Sequence, residues 1–537
     1  MMEGALLINK MLERAEQLFP KKEIVSRTAS GITRLNYSEL GKRTRRLSSA
    51  LEKLGVGRGD KVATLAWNDH RHLEAYFGIP SMGAVLHTIN IRLSPQHIAY
   101  IINHAKDKVL LVDPMFLPIL EAIKDELSTV EAHIILSDEP QLPDTTLAPL
   151  YAYEELLTDA NPNYEYPNDL DEHDPAGMCY TSATTGLPKG VVYSHRGLAL
   201  HSMALGLADS AAISESDVAM PVVPMFHANA WGMPFAATWY GSTQVLPGPS
   251  FTPELLANLI TQEKVTITAG VPTIWLGLLK ELDANAEQYD MSSLRAVLCG
   301  GSAAPKGMIQ AFETKHKIPF IHAYGMTETT PLVTLSRLKS HQEDLPYDEK
   351  LEIRAKQGYV VPGLEIKVVN DDGEVEWNGE DMGELLVRGP WIAEEYYNDE
   401  RSAEAFRDGW LYTGDIVTID EEGVMKIADR TKDLVKSGGE WISTIDLENV
   451  LMAYEDVFEA AVVGVPHPEW QERPIAAVVL KPDATVSKKE LFEFLKPQFA
   501  NWWLPDDIIF MDEIPKTSVG KFQKNRLREQ LQDYLTV

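Results

Sequence analysis

Short apolar runs alternate with amphipathic segments of helical length over most of the first 430 residues. Residues 61–66 and 108–112 are short buried-strand candidates, and 72–82 and 94–104 between them read as helices. The second helix opens Ser94-Pro95-Gln96: a hydroxyl that can accept a backbone N–H, then a proline whose fixed φ suits a first turn. The rhythm continues with a strand over 243–246, a helix over 253–263, a strand over 266–269, a helix over 272–282 and a strand over 296–299. Strands separated by helices of this length predict parallel sheets with helices on both faces, an α/β class.

From about residue 359 the pattern shortens. Strand patterns at 365–369 and 383–387 are punctuated by Asp371-Asp372-Gly373 and Trp377-Asn378-Gly379, which read as turns and predict a β-rich subdomain over about 359–428. A charged segment at 429–434 precedes a helix over 447–454, strands over 458–465 and 475–480, and a helix over 488–498. The expected organisation is a large N-terminal domain, 1–430, and a small α+β C-terminal domain, 431–537.

Length and composition narrow this picture. At roughly 150 residues per domain, 537 residues allow three or four units or two unequal lobes. The 45% apolar and 24% charged content excludes fibrous and wholly disordered classes. The formal charge of −30 repels nucleic acid and anionic lipid at long range, so no nucleic-acid partner is expected. Cys179 and Cys299 are the two cysteines, in apolar runs, and read as buried free thiols in a reducing cytoplasm. The apolar stretch 221–237 carries Pro221, Pro224, Pro234, His227 and Asn229, which argues against membrane insertion.

An acidic protein that uses a polyanionic substrate needs a local exception, and the sequence has two. Residues 176–208 contain no acid, and they include Cys179-Tyr180-Thr181-Ser182-Ala183-Thr184-Thr185-Gly186-Leu187-Pro188-Lys189-Gly190. A strand candidate (176–180) runs into hydroxyls, glycines and one lysine, and 191–193 leads to a helix that Ser194 can cap. Hydroxyls and free backbone N–H groups suit phosphate oxygens, although the spacing is not that of the Walker loop. The second exception, residues 514–528, holds Lys516, Lys521, Lys524, Arg526 and Arg528 without an acid. Its ordinary reading is a solvated basic helix face.

The loop resembles the signature of the adenylate-forming superfamily of acyl-CoA synthetases, acyl-adenylating domains and beetle luciferases. Further segments resemble that family's motifs in order: Phe226-His227-Ala228-Asn229-Ala230-Trp231-Gly232, Gly300-Gly301-Ser302-Ala303-Ala304-Pro305, Tyr324-Gly325-Met326-Thr327-Glu328 and Trp410-Leu411-Tyr412-Thr413-Gly414-Asp415. Asp429-Arg430-Thr431-Lys432-Asp433, Ser437-Gly438-Gly439-Glu440 and Pro515-Lys516-Thr517-Ser518-Val519-Gly520-Lys521 complete the set. The resemblance implies a two-step reaction with ATP, Mg²⁺ and coenzyme A: a carboxylate displaces pyrophosphate to give acyl-AMP, and a thiol then displaces AMP.

On that basis Thr181, Ser182, Ala183, Thr184, Thr185, Gly186 and Lys189 would hold the β- and γ-phosphates. Glu328, with Thr184 as a weaker candidate, would bind Mg²⁺; read alone, Glu328 is also a carboxylate answering a helix dipole. Thr327 would donate to the α-phosphate, and Tyr324 would stack on adenine beside Gly325, Gly301, Ser302 and Ala303. Asp415 would accept the ribose hydroxyls, and Arg430, Lys436 and Trp441 would contact the nucleotide. Lys432 aligns with the hinge of a mobile C-terminal domain that brings Lys521 to the α-phosphate and later withdraws it. Gly438 and Gly439 would then face the pantetheine tunnel. Ala183 departs from the family's usual glycine, a substitution that strains the loop if φ is positive there.

His227, Ala228, Trp231, Gly300 and Gly325 would line the acyl site. Trp231 matches a tryptophan that gates the acyl tunnel in long-chain synthetases; simple core packing is its other reading. Residues 226–235 carry no acid to pair a substrate ammonium, so amino acids are disfavoured. The apolar surroundings suit an alkyl chain at roughly 0.8 kcal/mol per buried CH₂. The resemblance therefore implies a medium- or long-chain fatty acyl-CoA synthetase, with a homodimer suggested by the long-chain members. Two alternatives stand beside it: a ligase for short or aryl acids such as methylmercaptopropionate, and a non-catalytic nucleotide- or acyl-CoA-binding relative. The joint presence of Glu328, Asp415 and Lys521 disfavours the last.

Overall fold

A computed structural model describes residues 4–139, 141–181, 186–437, 440–482, 484–516, 522–532 and 534–535. The alternation of apolar runs becomes four sheets among these residues. The first orders its strands Leu150–Ala152, Ala132–Ile135, Asp107–Val112, Lys61–Leu65, Val85–Thr88, Pro175–Tyr180 and Gly190–Ser194. All neighbours are parallel except the last pair, a hairpin with Tyr180 opposite Gly190. The predicted helices fall at His70–Ser81 and Pro95–Ala105, the second capped by the Ser94 side chain on His97 N–H.

The second sheet has a parallel centre in the order Phe320–Gly325, Ala296–Cys299, Ile267–Gly270, Val218–Pro221, Thr243–Leu246 and Glu23–Thr28. Antiparallel edge strands flank it: Leu332–Leu335 and Tyr359–Val360 on one side, Gly31–Asn36 on the other. Helices Pro253–Glu263 and Pro272–Asn285 match the expected spacing. Fully buried Trp275, whose indole N–H donates to Leu298 O, belongs to the core behind this sheet.

The third sheet is antiparallel and spans Glu365–Asn370 to Met425–Arg430, as the turn signals predict. The fourth is built from Val435–Ser437, Glu440–Ile442, Val457–His467, Gln471–Leu480 and Asp507–Phe510. Cys179 and Cys299 are buried free thiols. No described helix is long and apolar enough to cross a membrane.

Lys524 differs from its expected place on a solvated face. Its ammonium is buried 2.7 Å from Glu448, and it also donates to Thr444, which bonds Asp429. Helix Thr444–Met452 supplies two of these partners, so a cation legible only as part of a basic run becomes an internal tie.

Candidate functional site

The hairpin Pro175–Tyr180/Gly190–Ser194 carries the hydroxyl-rich loop, and its neck is closed by two bonds. Thr181 N–H donates to Lys189 O at 2.9 Å, and Lys189 N–H donates to the Thr181 hydroxyl at 3.0 Å. The helix His195–Leu205 then starts on Ser194, whose hydroxyl accepts from Gly197 N–H. The neck residues Thr181 and Lys189 share one cavity wall with Ala269, Leu298, Ala323 and Tyr324 of the parallel strands Ile267–Gly270, Ala296–Cys299 and Phe320–Gly325, at the end of an open α/β sheet where ligands bind.

A cavity of about 220 Å³ lies there. One end is polar: Thr181, Lys189, Thr327, Glu328, Arg430 and Lys432, with Tyr324 beside them. The other is apolar: Leu205, Ile213, Met233, Ala269, Leu298 and Leu332. Glu328 is the one acid among the described lining residues, against three cations, so the wall opposes the charge of the whole chain. Burial lowers the pKa of Lys189 and of Lys432, with Glu328 opposing the shift at Lys189 and Asp433 at Lys432.

Tyr324 reaches from the wall to Asp415, donating its hydroxyl to Oδ2 at 2.5 Å, and Arg430 Nε meets Oδ1 at 2.5 Å. Asp415 raises the Arg430 pKa, whereas burial, with Asp415 second, raises that of Tyr324. Asp415 itself is buried behind the wall. Thr327 and Glu328 form a single turn after the strand Phe320–Gly325. Thr327 O accepts from the Tyr193 hydroxyl at 2.8 Å, which joins this turn to the loop hairpin.

Glu328 is 4% exposed; its Oε1 accepts from the Tyr396 hydroxyl at 2.7 Å, and its other oxygen has no hydrogen bond among the described residues. Lys189 Nζ donates to the same hydroxyl at 2.8 Å. No group of three or more His, Cys, Asp or Glu side chains able to hold a metal occurs among the described residues. Glu328 is the carboxylate of this wall that could hold a hard cation beside substrate oxygens.

The apolar end depends on an unusual turn. Ala228, Asn229, Ala230 and Trp231 all have positive φ, from 43° to 56°, followed by Gly232 at 72°. Each left-handed non-glycine residue costs about 1–2 kcal/mol. Packing holds them: Ala228, Asn229 and Ala230 are buried, and a Cβ on Gly232 would lie 2.6 Å from His201. The turn lays the Trp231 indole over Gly300, where a Cβ would sit 3.2 Å from the ring and 2.9 Å from Ala323 O.

Residues 12–397 match the family model of AMP-binding enzymes, and 446–521 match that of the AMP-binding enzyme C-terminal domain. The chain belongs to this family. It is 50% identical to a long-chain-fatty-acid–CoA ligase of Thermus thermophilus, over 99% of this chain and 97% of that one. It is 42% identical to a 3-methylmercaptopropionyl-CoA ligase of Ruegeria lacuscaerulensis, over 100% and 99%. Among solved structures, an anthranilate CoA ligase in complex with anthranoyl-AMP superposes with a TM-score of 0.88 at 25% identity, covering 100% of this chain and 99% of that one.

For this AMP-binding enzyme, the candidates that meet at the cavity are Thr181, Lys189, His227, Ala228, Trp231, Gly300, Gly301, Tyr324, Gly325, Thr327, Glu328, Arg430 and Lys432. Gly186, Ser302, Ala303, Lys436 and Trp441 do not line it. Lys436 and Trp441 pair across the hairpin 435–442, and Trp441 packs against the small cluster of Ile416, Ala428 and Leu434. Ser182, Ala183, Thr184, Thr185, Gly438, Gly439 and Lys521 lie outside the described residues.

Sequence reasoning missed the segment 391–402. Ala393 N–H donates to Glu328 O, Tyr397 N–H to Gly190 O, and Arg401 to Leu187 O, so this segment clasps both halves of the polar end. The only signal in the sequence was the Tyr396-Tyr397-Asn398 cluster in a polar stretch, which has no period to mark it.

Proposed function

We propose that this protein ligates a fatty acid to coenzyme A through an acyl-adenylate. A fatty carboxylate oxygen forms a bond to the α-phosphorus of ATP, the bond to the β-phosphate oxygen breaks, and pyrophosphate leaves. The thiol of coenzyme A then attacks the acyl carbon, AMP leaves with the bonding pair, and the thiol proton passes to solvent. The observation that carries this reading is that one cavity has three cations at one end and an acid-free apolar wall at the other.

In this reading Thr181 and Lys189 steady the β- and γ-phosphates, and Thr327 donates to the α-phosphate. Arg430 holds the nucleotide with Tyr324 and Asp415, and Lys521 approaches the α-phosphate from the small domain, 431–537, which turns at Lys432. These are oriented donors and charges, which is what phosphoryl transfer requires. Mg²⁺, held by Glu328 with Thr184, would draw charge from the phosphate oxygens when bound. Two free thiols fit a cytoplasmic setting.

A second reading is supported by the 42% relative named for 3-methylmercaptopropionate: a ligase for short acids on the same scaffold. AMP release measured across straight-chain acids, with and without coenzyme A, decides between them. Turnover confined to acids below about six carbons refutes the fatty-acid reading. No AMP with any acid refutes both readings and supports a non-catalytic binding protein.

A further inference from the structure

Tyr396 is placed between two groups that would otherwise meet. Its hydroxyl accepts from Lys189 Nζ at 2.8 Å and donates to Glu328 Oε1 at 2.7 Å, so one oxygen atom stands between an ammonium and a carboxylate on the cavity wall. The phenol is not free to follow either partner. It is 3% exposed, its ring stands edge-on to Phe406 at 5.1 Å, and its backbone N–H donates to the Ser402 hydroxyl. Its neighbours Ala393 and Tyr397 are bonded to Glu328 O and Gly190 O, so the phenol is referenced to both halves of the site.

We propose that Tyr396 is a positioning residue that holds Lys189 and Glu328 apart in the nucleotide-free enzyme, keeping a gap of the width that a metal-bound triphosphate fills. This rests on the adenylating reading above and deepens it. Lys189 also faces the charges of Asp399, Arg401 and Lys432. In a site screened from water, an unseparated ammonium and carboxylate attract strongly and close on each other. Metal and phosphate would then have to break that pair before binding. With the hydroxyl interposed, each charge keeps a charge-assisted hydrogen bond, and each can be handed to its new partner, phosphate or cation.

The test is Tyr396→Phe, which keeps the ring and its packing and removes both bonds. Calorimetric affinity for MgATP is expected to fall at least tenfold, and the KM for MgATP to rise by the same factor. The free Mg²⁺ concentration giving half-maximal rate should rise, while thioester formation from supplied acyl-AMP and the KM for fatty acid stay within twofold. Unchanged MgATP affinity overturns the proposal, and so does equal loss in both half-reactions, because that marks a merely structural role. On a Lys189→Met background no ammonium remains to close onto Glu328, so adding Tyr396→Phe should change MgATP affinity by less than twofold. A further tenfold loss there also overturns the proposal. A wild-type enzyme that forms no AMP with any acid refutes the ligase reading, whereas the calorimetric comparison still decides the role of Tyr396.

Discussion

Asp415→Asn separates the contacts that this carboxylate makes in the structure from its proposed role at the ribose. Asp415 is 2% exposed, and each of its oxygens already carries a partner, Tyr324 on Oδ2 and Arg430 on Oδ1. The amide keeps the shape. Its oxygen must face the Arg430 Nε–H, so its NH₂ faces the Tyr324 oxygen, which can accept, and the phenol proton turns elsewhere. What disappears is the negative charge on any ribose hydroxyl bonded here. A hydrogen bond to a charged group is worth about 1.5–3 kcal/mol, so the KM for ATP should rise roughly 10- to 150-fold. AMP release measures this, with the unfolding midpoint as a check on the fold. A cycle with 2′-deoxy-ATP isolates the contact: the wild type should lose on the deoxy nucleotide and the variant should lose almost nothing more. If 2′-deoxy-ATP costs both enzymes the same factor, Asp415 acts through Tyr324 and Arg430 alone and the ribose assignment fails.

Lys521→Ala should abolish acyl-AMP formation yet spare thioester formation from supplied acyl-AMP; equal loss in both half-reactions contradicts a rotating small domain. Gly300→Ala should raise the KM for fatty acid about tenfold with the KM for ATP unchanged. The added Cβ meets Ala323 O at 2.9 Å and the Trp231 ring at 3.2 Å, and overpacking of this kind costs about 1–3 kcal/mol. Burial pushes the Glu448 carboxyl up to about 7, with Lys524 opposing the shift. The folded chain therefore holds more protons than the unfolded chain between about pH 4.5 and 7, so this group's contribution to stability falls as pH rises through that window. Melting temperatures at pH 5 and 7.5 should show a smaller decline in Glu448→Gln than in the wild type, and an identical decline in both excludes the group.

Local order was legible in the sequence wherever short-range physics dictates it. The helix Pro253–Glu263 begins on a hydroxyl cap and proline, and the strands Thr243–Leu246 and Ala296–Cys299 fall in runs too short for helices. The strand before the phosphate-loop candidate and the capped helix after it were visible, because each is decided within a few residues. The motifs also told which residue types should gather, and Thr181, Lys189, Tyr324, Thr327, Glu328 and Arg430 do meet at one cavity.

Other features depend on groups far apart in the chain, and only the tertiary structure decided them. Tyr396 meets Lys189 across 207 residues and Glu328 across 68, separations that leave no periodic trace. Lys524 belongs to a basic run in the sequence, yet carboxylates from distant elements draw it inside. The segment Ala228-Asn229-Ala230-Trp231 has the composition of a right-handed turn, and local propensity alone would make it one. It is left-handed because the burial of Ala228, Asn229 and Ala230 and the packing of Trp231 on Gly300 outweigh the cost of each positive φ, a balance set by the packed core rather than by the residues themselves.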